Sequence, residues 1–195
     1  MDKKTLLLLT VITEGGLCFL GLILMSAAQI ELRSVFIFSW GATGIALLMT
    51  LPMFAFLYIN THSSWKPIVQ LKEEMEEKIV PIFSGTNHID LALIAFFAGV
   101  GEELFFRGWM QNVLINKSGV WIGILVTSAI FGFLHYLSAT YAIYAFVTGI
   151  YLGVIYHVSG NLYIVMTIHA VYDFIALVYL VRKGKRTEQA QGMET

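Results

Sequence analysis

The sequence predicts an all-α, polytopic membrane bundle of about six transmembrane helices plus one interfacial amphipathic helix. Three observations lead there. Of 195 residues, 57% are hydrophobic and only 13% charged, whereas a soluble domain is about a quarter charged. Several apolar stretches approach the roughly 20 residues that a helix needs to cross a hydrocarbon core. Basic residues, finally, are shared unevenly among the connections between those stretches.

The spans fall near 5–28, 34–59, 90–112, 119–138, 140–157 and 161–181. The first follows Lys3 and Lys4 as a signal peptide would, but its apolar run is too long and no small-x-small site follows the first leucines. It reads as a retained signal-anchor helix. The fifth span is short and joins the fourth through a tight turn at Ser138-Ala139-Thr140. Gly119 with Gly123, and Gly149 with Gly153, sit at a spacing that lets helices approach closely.

Orientation follows from the positive charges. With a cytoplasmic N-terminus, Lys3, Lys4, Lys66, Lys72, Lys78, Arg182, Lys183, Lys185 and Arg186 all lie inside, against Arg33 and Lys117 outside. Both termini are therefore expected in the cytoplasm of a multi-pass cell-membrane protein. The organisation expected is two N-terminal transmembrane helices (1–60), a cytoplasmic amphipathic connection (61–89), a core of four helices (90–181) and a polar tail (182–195), disordered from Lys183 onward.

Within the connection, Ile68, Leu71, Met75, Ile79 and Ile82 recur at spacings of three and four, and Lys72, Glu73, Glu74, Glu76, Glu77 and Lys78 fill the other faces. Such a helix lies along the cytoplasmic interface with Trp65 near the headgroups, or packs as a solvated helix on the bundle. Pro67 suits its first turn, and Pro81 and Gly85 end it. The lipid bilayer is thus one partner. A net charge of -1 leaves no basic face for nucleic acid. Cys18 is the single cysteine, which excludes an intrachain disulfide and any CxxC site.

Ionisable residues inside the apolar stretches are the functional candidates, because lipid makes them expensive. Glu102 and Glu103 adjoin in the third span, and Arg107 lies four residues beyond Glu103, a spacing that suits an ion pair on one helical face. Glu103 and Arg107 are expected to organise the site. Glu102, rotated about 100° from Glu103 on an ideal helix, is the better candidate for a working base. Phe131 precedes His135 by four residues, and His169 precedes Asp173 by four. Asp173 can fix the tautomer of His169, or both can ligate a metal from one face. Glu14 in the first span has no partner apparent from sequence. His62, His88 and His157 fall at membrane boundaries, and N-capping accounts for Asn161.

Together these residues resemble the CAAX protease and bacteriocin-processing (CPBP, or Abi) family of intramembrane proteases. Its three motifs read here as Glu102-Glu103-x-x-x-Arg107, Phe131-x-x-x-His135 and His169-x-x-x-Asp173, in order. The resemblance covers about 90–176 and implies an endopeptidase that cuts a peptide bond of a membrane-associated protein or peptide. Glu102 and His135 would activate the attacking water, and His169 and Asp173 would steady the oxyanion. The departure is Asp173, where better-studied members carry asparagine. An ionised carboxylate repels an oxyanion, so Asp173 is expected to orient His169. The resemblance leaves the cofactor open: none, or a Zn²⁺ held by His135, His169 and Asp173, which would make this a metalloendopeptidase. The alternative expectation is a non-catalytic membrane immunity protein of the same fold, conferring bacteriocin self-immunity by contact. One mismatch accompanies these expectations: measured from the cytoplasmic surface, His135 lies shallower than Glu102 and His169 by more than a helical turn.

Overall fold

The computed structural model describes residues 2–192, with side chains to residue 184, and those residues form helices and no strands. Helix α1 (Lys3–Ala27) starts at Asp2, whose carboxylate accepts from Thr5 N at 2.9 Å and satisfies a free donor of the first turn. The one-turn α2 (Leu32–Val35) leads to α3 (Trp40–His62), capped in the same way by Ser39.

The amphipathic connection folds as α4 (Lys66–Glu74), a π-helical stretch Met75–Ile79, and α5 (Val80–Phe83). Pro67 occupies the first turn of α4 as expected. Pro81 opens α5 rather than ending a helix; it has no N–H to donate, which suits the wider hydrogen-bond offset just before it.

The third expected span is a continuous helical rod from residue 88 to 118: α6 (His88–Glu103), a π-helical stretch Leu104–Gln111, and α7 (Asn112–Ser118). A reciprocal capping box starts it. Asn87 Oδ1 accepts from Ile89 N and Asp90 N, while Asp90 Oδ2 accepts from Asn87 N at 2.8 Å. Gly119, expected to mediate helix packing, is instead the turn residue, with φ 90° and no neighbour within 4 Å of a would-be Cβ. It leads into α8 (Val120–Leu134). Then come α9 (Ala139–Ser159), closed by the left-handed Gly160 at φ 60°, and α10 (Leu162–Gly192).

Helices α1, α3, α9 and the 162–184 part of α10 are long and apolar enough to cross a membrane, and α8 is a shorter apolar helix. The chain is therefore a polytopic helical membrane bundle. The fourth span, expected over 119–138, stops at Leu134 because 135–138 form the turn into α9, whose first free N–H groups are capped by the Ser138 hydroxyl. The disordered tail expected from Lys183 is helical as far as Gly192. Lysine, arginine, glutamate, glutamine and alanine all favour helix there. Residues 193–195 lie outside the described residues, as does Met1.

Lys3 pairs with Asp90 at 2.8 Å and Arg182 meets His88 at 3.3 Å, so the start of α1, the start of α6 and residue 182 of α10 share one end of the bundle. The amphipathic connection lies at that end. Lys72 donates to the carbonyls of Thr61 and Ser63 at the close of α3, Lys183 pairs with Glu76, and Ile68, Leu71 and Val80 are buried beneath. Where helices carry glycine, their backbones touch directly. A Cβ at Gly99 would meet Ala170 N of α10 at 2.8 Å, and one at Gly149 would meet Ser128 of α8 at 3.1 Å. The packing expected of Gly149 from its spacing is present.

Candidate active site

Glu102 and Glu103 are the last two residues of α6, placed where the rod widens into the π-helical stretch. Such wide turns release carbonyls from their usual partners. Asn112 takes them up: its amide donates to the carbonyls of Arg107 and Gly108 at 3.0 and 2.9 Å, and to the Tyr156 hydroxyl at 2.7 Å. Gln111, fully buried, donates in turn to Gly153 O of α9 at 2.9 Å. The widened helix is thus stitched to α9, and Glu102 and Glu103 hang from a rigid support.

Glu103 and Arg107 are both completely buried, and Arg107 Nη1 donates to Glu103 Oε1 at 2.7 Å. Arg107 Nη2 donates to Gly149 O at 3.0 Å, and its guanidinium lies over the Phe131 ring, 4.9 Å from the centroid. Phe131 extends beneath the imidazoles as well, with ring centroids 4.3 Å from His135 and 6.2 Å from His169. One aromatic side chain therefore packs against three polar residues of the site.

The histidines are oriented by their Nδ1 atoms. His135, the residue that ends α8, donates from Nδ1 to Phe131 O at 2.8 Å, since a carbonyl can only accept. Its Nε2 is left facing Glu102 Oε1 at 3.8 Å. His169 donates from Nδ1 to Glu103 Oε1 at 2.8 Å. Its Nε2 faces Asp173 Oδ2 at 3.4 Å and Glu102 Oε2 at 3.8 Å. Both nitrogens of His169 thus point at carboxylates, the geometry of a doubly protonated ring. The residue expected to orient His169 was Asp173; the shorter contact comes from Glu103, which the i,i+4 spacing of His169 and Asp173 gave no reason to suspect.

The depth mismatch disappears when distance is counted from the opposite end. At 1.5 Å per residue, Glu102 lies about 24 Å from Ser118 and His135 about 22 Å from Val120. The α7–α8 hairpin brings them level because α8 ends at Leu134, not at residue 138.

A cavity of about 350 Å³ opens onto this cluster. Phe131, His135, His169 and Asp173 line it at one end, Ile68, Lys72 and Met75 of the amphipathic connection at the other, and most of its wall is apolar. Tyr141 and the hydrogen-bonded pair Tyr144–Tyr172 also face it. Sequence reasoning passed over these tyrosines, which look there like ordinary packing aromatics, and over Gln111 and Asn112.

His62, His88 and His157 are exposed at helix ends. Asn161 accepts from Tyr163 N at 3.1 Å in the first turn of α10, as N-capping requires. It also pairs in both directions with the backbone of Ile37, at 3.0 and 2.8 Å. Glu14 packs against the site from α1, and its Oε2 is buried without a hydrogen-bond partner. Among the described residues, no three His, Cys, Asp or Glu side chains converge so as to hold a metal ion. His135, His169 and Asp173 are therefore not arranged as a Zn²⁺ site.

Residues 84–175, which contain all three motifs, match the family model described as Rce1-like, type II CAAX prenyl endopeptidase. An uncharacterized protein of Bacillus subtilis (strain 168), YpbD, is 31% identical over 121 residues, which is 58% of this chain and 59% of that protein. The chain thus spans about three fifths of the length of that relative. No solved structure matches. The segment that holds the Glu-Glu, Phe-His and His-Asp motifs, a little under half of the chain, is thus similar to the Rce1-like family.

Proposed function

We propose that this protein is an intramembrane endopeptidase that hydrolyses a peptide bond of a membrane-associated protein or peptide with a water activated by Glu102 and His135. The observation that carries the reading is the placement of Glu102. Its two carboxylate oxygens lie 3.8 Å from His135 Nε2 and 3.8 Å from His169 Nε2. That is too far for a direct hydrogen bond and suits a water between them. His135, protonated on Nδ1, offers the Nε2 lone pair to such a water, as a general base must.

His169 stands on the other side of the same carboxylate. Anchored through Nδ1–H on Glu103, with the Asp173 carboxylate nearby to favour its cationic form, it would present its one Nε2–H to the carbonyl oxygen of the scissile bond as negative charge develops. Asp173 then serves the ring rather than the oxyanion, and its own charge is offset by the imidazolium. The apolar cavity gives a hydrophobic peptide or lipid-modified segment a place next to these groups, and its opening toward the amphipathic connection is the cytoplasmic entrance in this reading.

The experiment is hydrolysis of a farnesylated peptide with a C-terminal CAAX sequence by the full chain in proteoliposomes, with fragment masses determined. It is paired with a comparison of membrane peptides from cells carrying wild type or Glu102→Ala. Cleavage that depends on Glu102 in either arm supports the reading. Identical peptide sets, with protection of the cell retained in Glu102→Ala, would instead support contact-type immunity.

A further inference from the structure

We infer that Glu14 of α1 is a positioning residue of the same site, a third carboxyl that holds the Glu102 side chain and its water in place. The inference rests on the hydrolytic reading above and adds a residue outside the 84–175 segment that carries the family motifs.

Two independent observations place Glu14 there. First, α1 and α6 touch backbone to backbone at this level: a Cβ at Gly101 would collide with the Glu14 carbonyl oxygen. Gly101 is the residue before Glu102, so α1 is held against the end of α6 that carries the carboxylates. Second, Glu14 Oε2 and Glu102 Oε2 are both buried oxygens with no hydrogen-bond partner. Among the described residues, the other oxygen of Glu14 accepts from Thr13 Oγ1 at 3.5 Å, on the exposed side. The charged and titratable groups within electrostatic reach of Glu14 are His169 and Asp173 of α10 and Glu102 of α6. Among the described residues, no lysine or arginine joins them.

A buried polar oxygen without a partner is costly, and two from facing helices cost twice. A water lying between the two carboxyl groups satisfies both oxygens at once. Two ionised carboxylates in a low-dielectric space repel, so the arrangement is stable when one of them carries a proton. We assign that proton to Glu14, since both imidazole Nε2 atoms lie 3.8 Å from Glu102, whereas His169 acts on Glu14 only at longer range. A neutral Glu14 then donates through the water to Glu102 Oε2, which leaves Glu102 Oε1 directed at His135. Because Glu14 acts through Glu102 and touches no substrate in this arrangement, its removal lowers turnover rather than substrate binding.

The test compares wild type, Glu14→Gln, Glu14→Leu and Glu102→Gln as full chains in proteoliposomes, with the farnesylated CAAX peptide as probe. Glu14→Gln keeps a donor and an acceptor and is expected to stay within about threefold of wild-type kcat. Glu14→Leu removes both and is expected to lose about 100-fold in kcat, the scale of a misplaced reacting group, with KM changed less than about threefold. Leucine suits an apolar helix, and unfolding midpoints in detergent check that the bundle is intact; if leucine lowers the midpoint, Glu14→Met is read in its place. Wild-type kcat in the leucine or methionine variant, a loss confined to KM, or a glutamine variant as slow as the leucine one would overturn the inference. Failure of the underlying hydrolytic reading looks different: wild type and Glu102→Gln would then be indistinguishable.

Discussion

Glu103 reaches His169 across 66 residues of sequence, its Oε1 accepting from His169 Nδ1 at 2.8 Å. The same oxygen accepts from Arg107 Nη1 at 2.7 Å. One buried oxygen therefore joins the Glu-Glu motif to the last motif and fixes which face of the His169 ring turns toward Glu102. Arg107 supplies compensating charge from the same helix, beside that of the His169 ring.

Breaking that pair from one side is expected to cost about 3–5 kcal/mol, because the surviving partner stays buried and unpaired. Arg107→Leu and Glu103→Leu should each lower stability by that order, and the double replacement should cost clearly less than the two added together. Denaturant unfolding in detergent micelles, run as a double-mutant cycle, measures it. Strict additivity would show that the two side chains are not coupled in the way their 2.7 Å contact requires.

Phe131 and Phe133 make a second comparison. Phe131 is 3% exposed and packs beneath Arg107, His135 and His169, whereas Phe133 is 73% exposed on the outside of α8. Phe131→Ala is expected to cost about 3–5 kcal/mol and most of the hydrolytic activity. Phe133→Ala should leave both within experimental error. Equal effects of the two replacements on unfolding midpoint and rate would contradict the role given to Phe131.

Much of this was legible in the sequence, and the limits have physical causes. Apolar length marked the spans, and intramembrane charge marked Glu102, Glu103, Arg107, His169 and Asp173, because lipid tolerates such groups only for a reason. The contact partners were harder. Helical spacing pairs Glu103 with Arg107 and His169 with Asp173, since those pairs lie on one helix. It says nothing about Glu103 with His169, whose meeting depends on how α10 crosses α6, backbone against backbone at Gly99 and Ala170. The two π-helical stretches left no trace in the hydrophobic pattern. They depend on side-chain bonds such as those of Asn112, which a periodicity argument does not see. The end of α8 was overestimated by four residues because Tyr136 and Leu137 continue the apolar run through a turn.

Orientation has its own prediction. In a Cys18→Ser background, Lys66→Cys and Lys117→Cys place one exposed thiol at each end of the bundle. A membrane-impermeant maleimide added to intact cells should label position 117 and leave position 66 unlabelled until the cells are opened. The reverse pattern would contradict cytoplasmic placement of the amphipathic connection and of both termini.

The most direct test of the account is single-turnover hydrolysis of the farnesylated CAAX peptide by purified Glu102→Gln, with peptide binding measured in parallel. Glutamine keeps the size of the side chain and removes its ability to take a proton, so the cleavage rate should fall by about 10²–10⁴-fold while binding and unfolding midpoint stay at wild-type values. Cleavage at the wild-type rate in Glu102→Gln would contradict the assignment of the water to Glu102 and, with it, the mechanism built around that carboxylate.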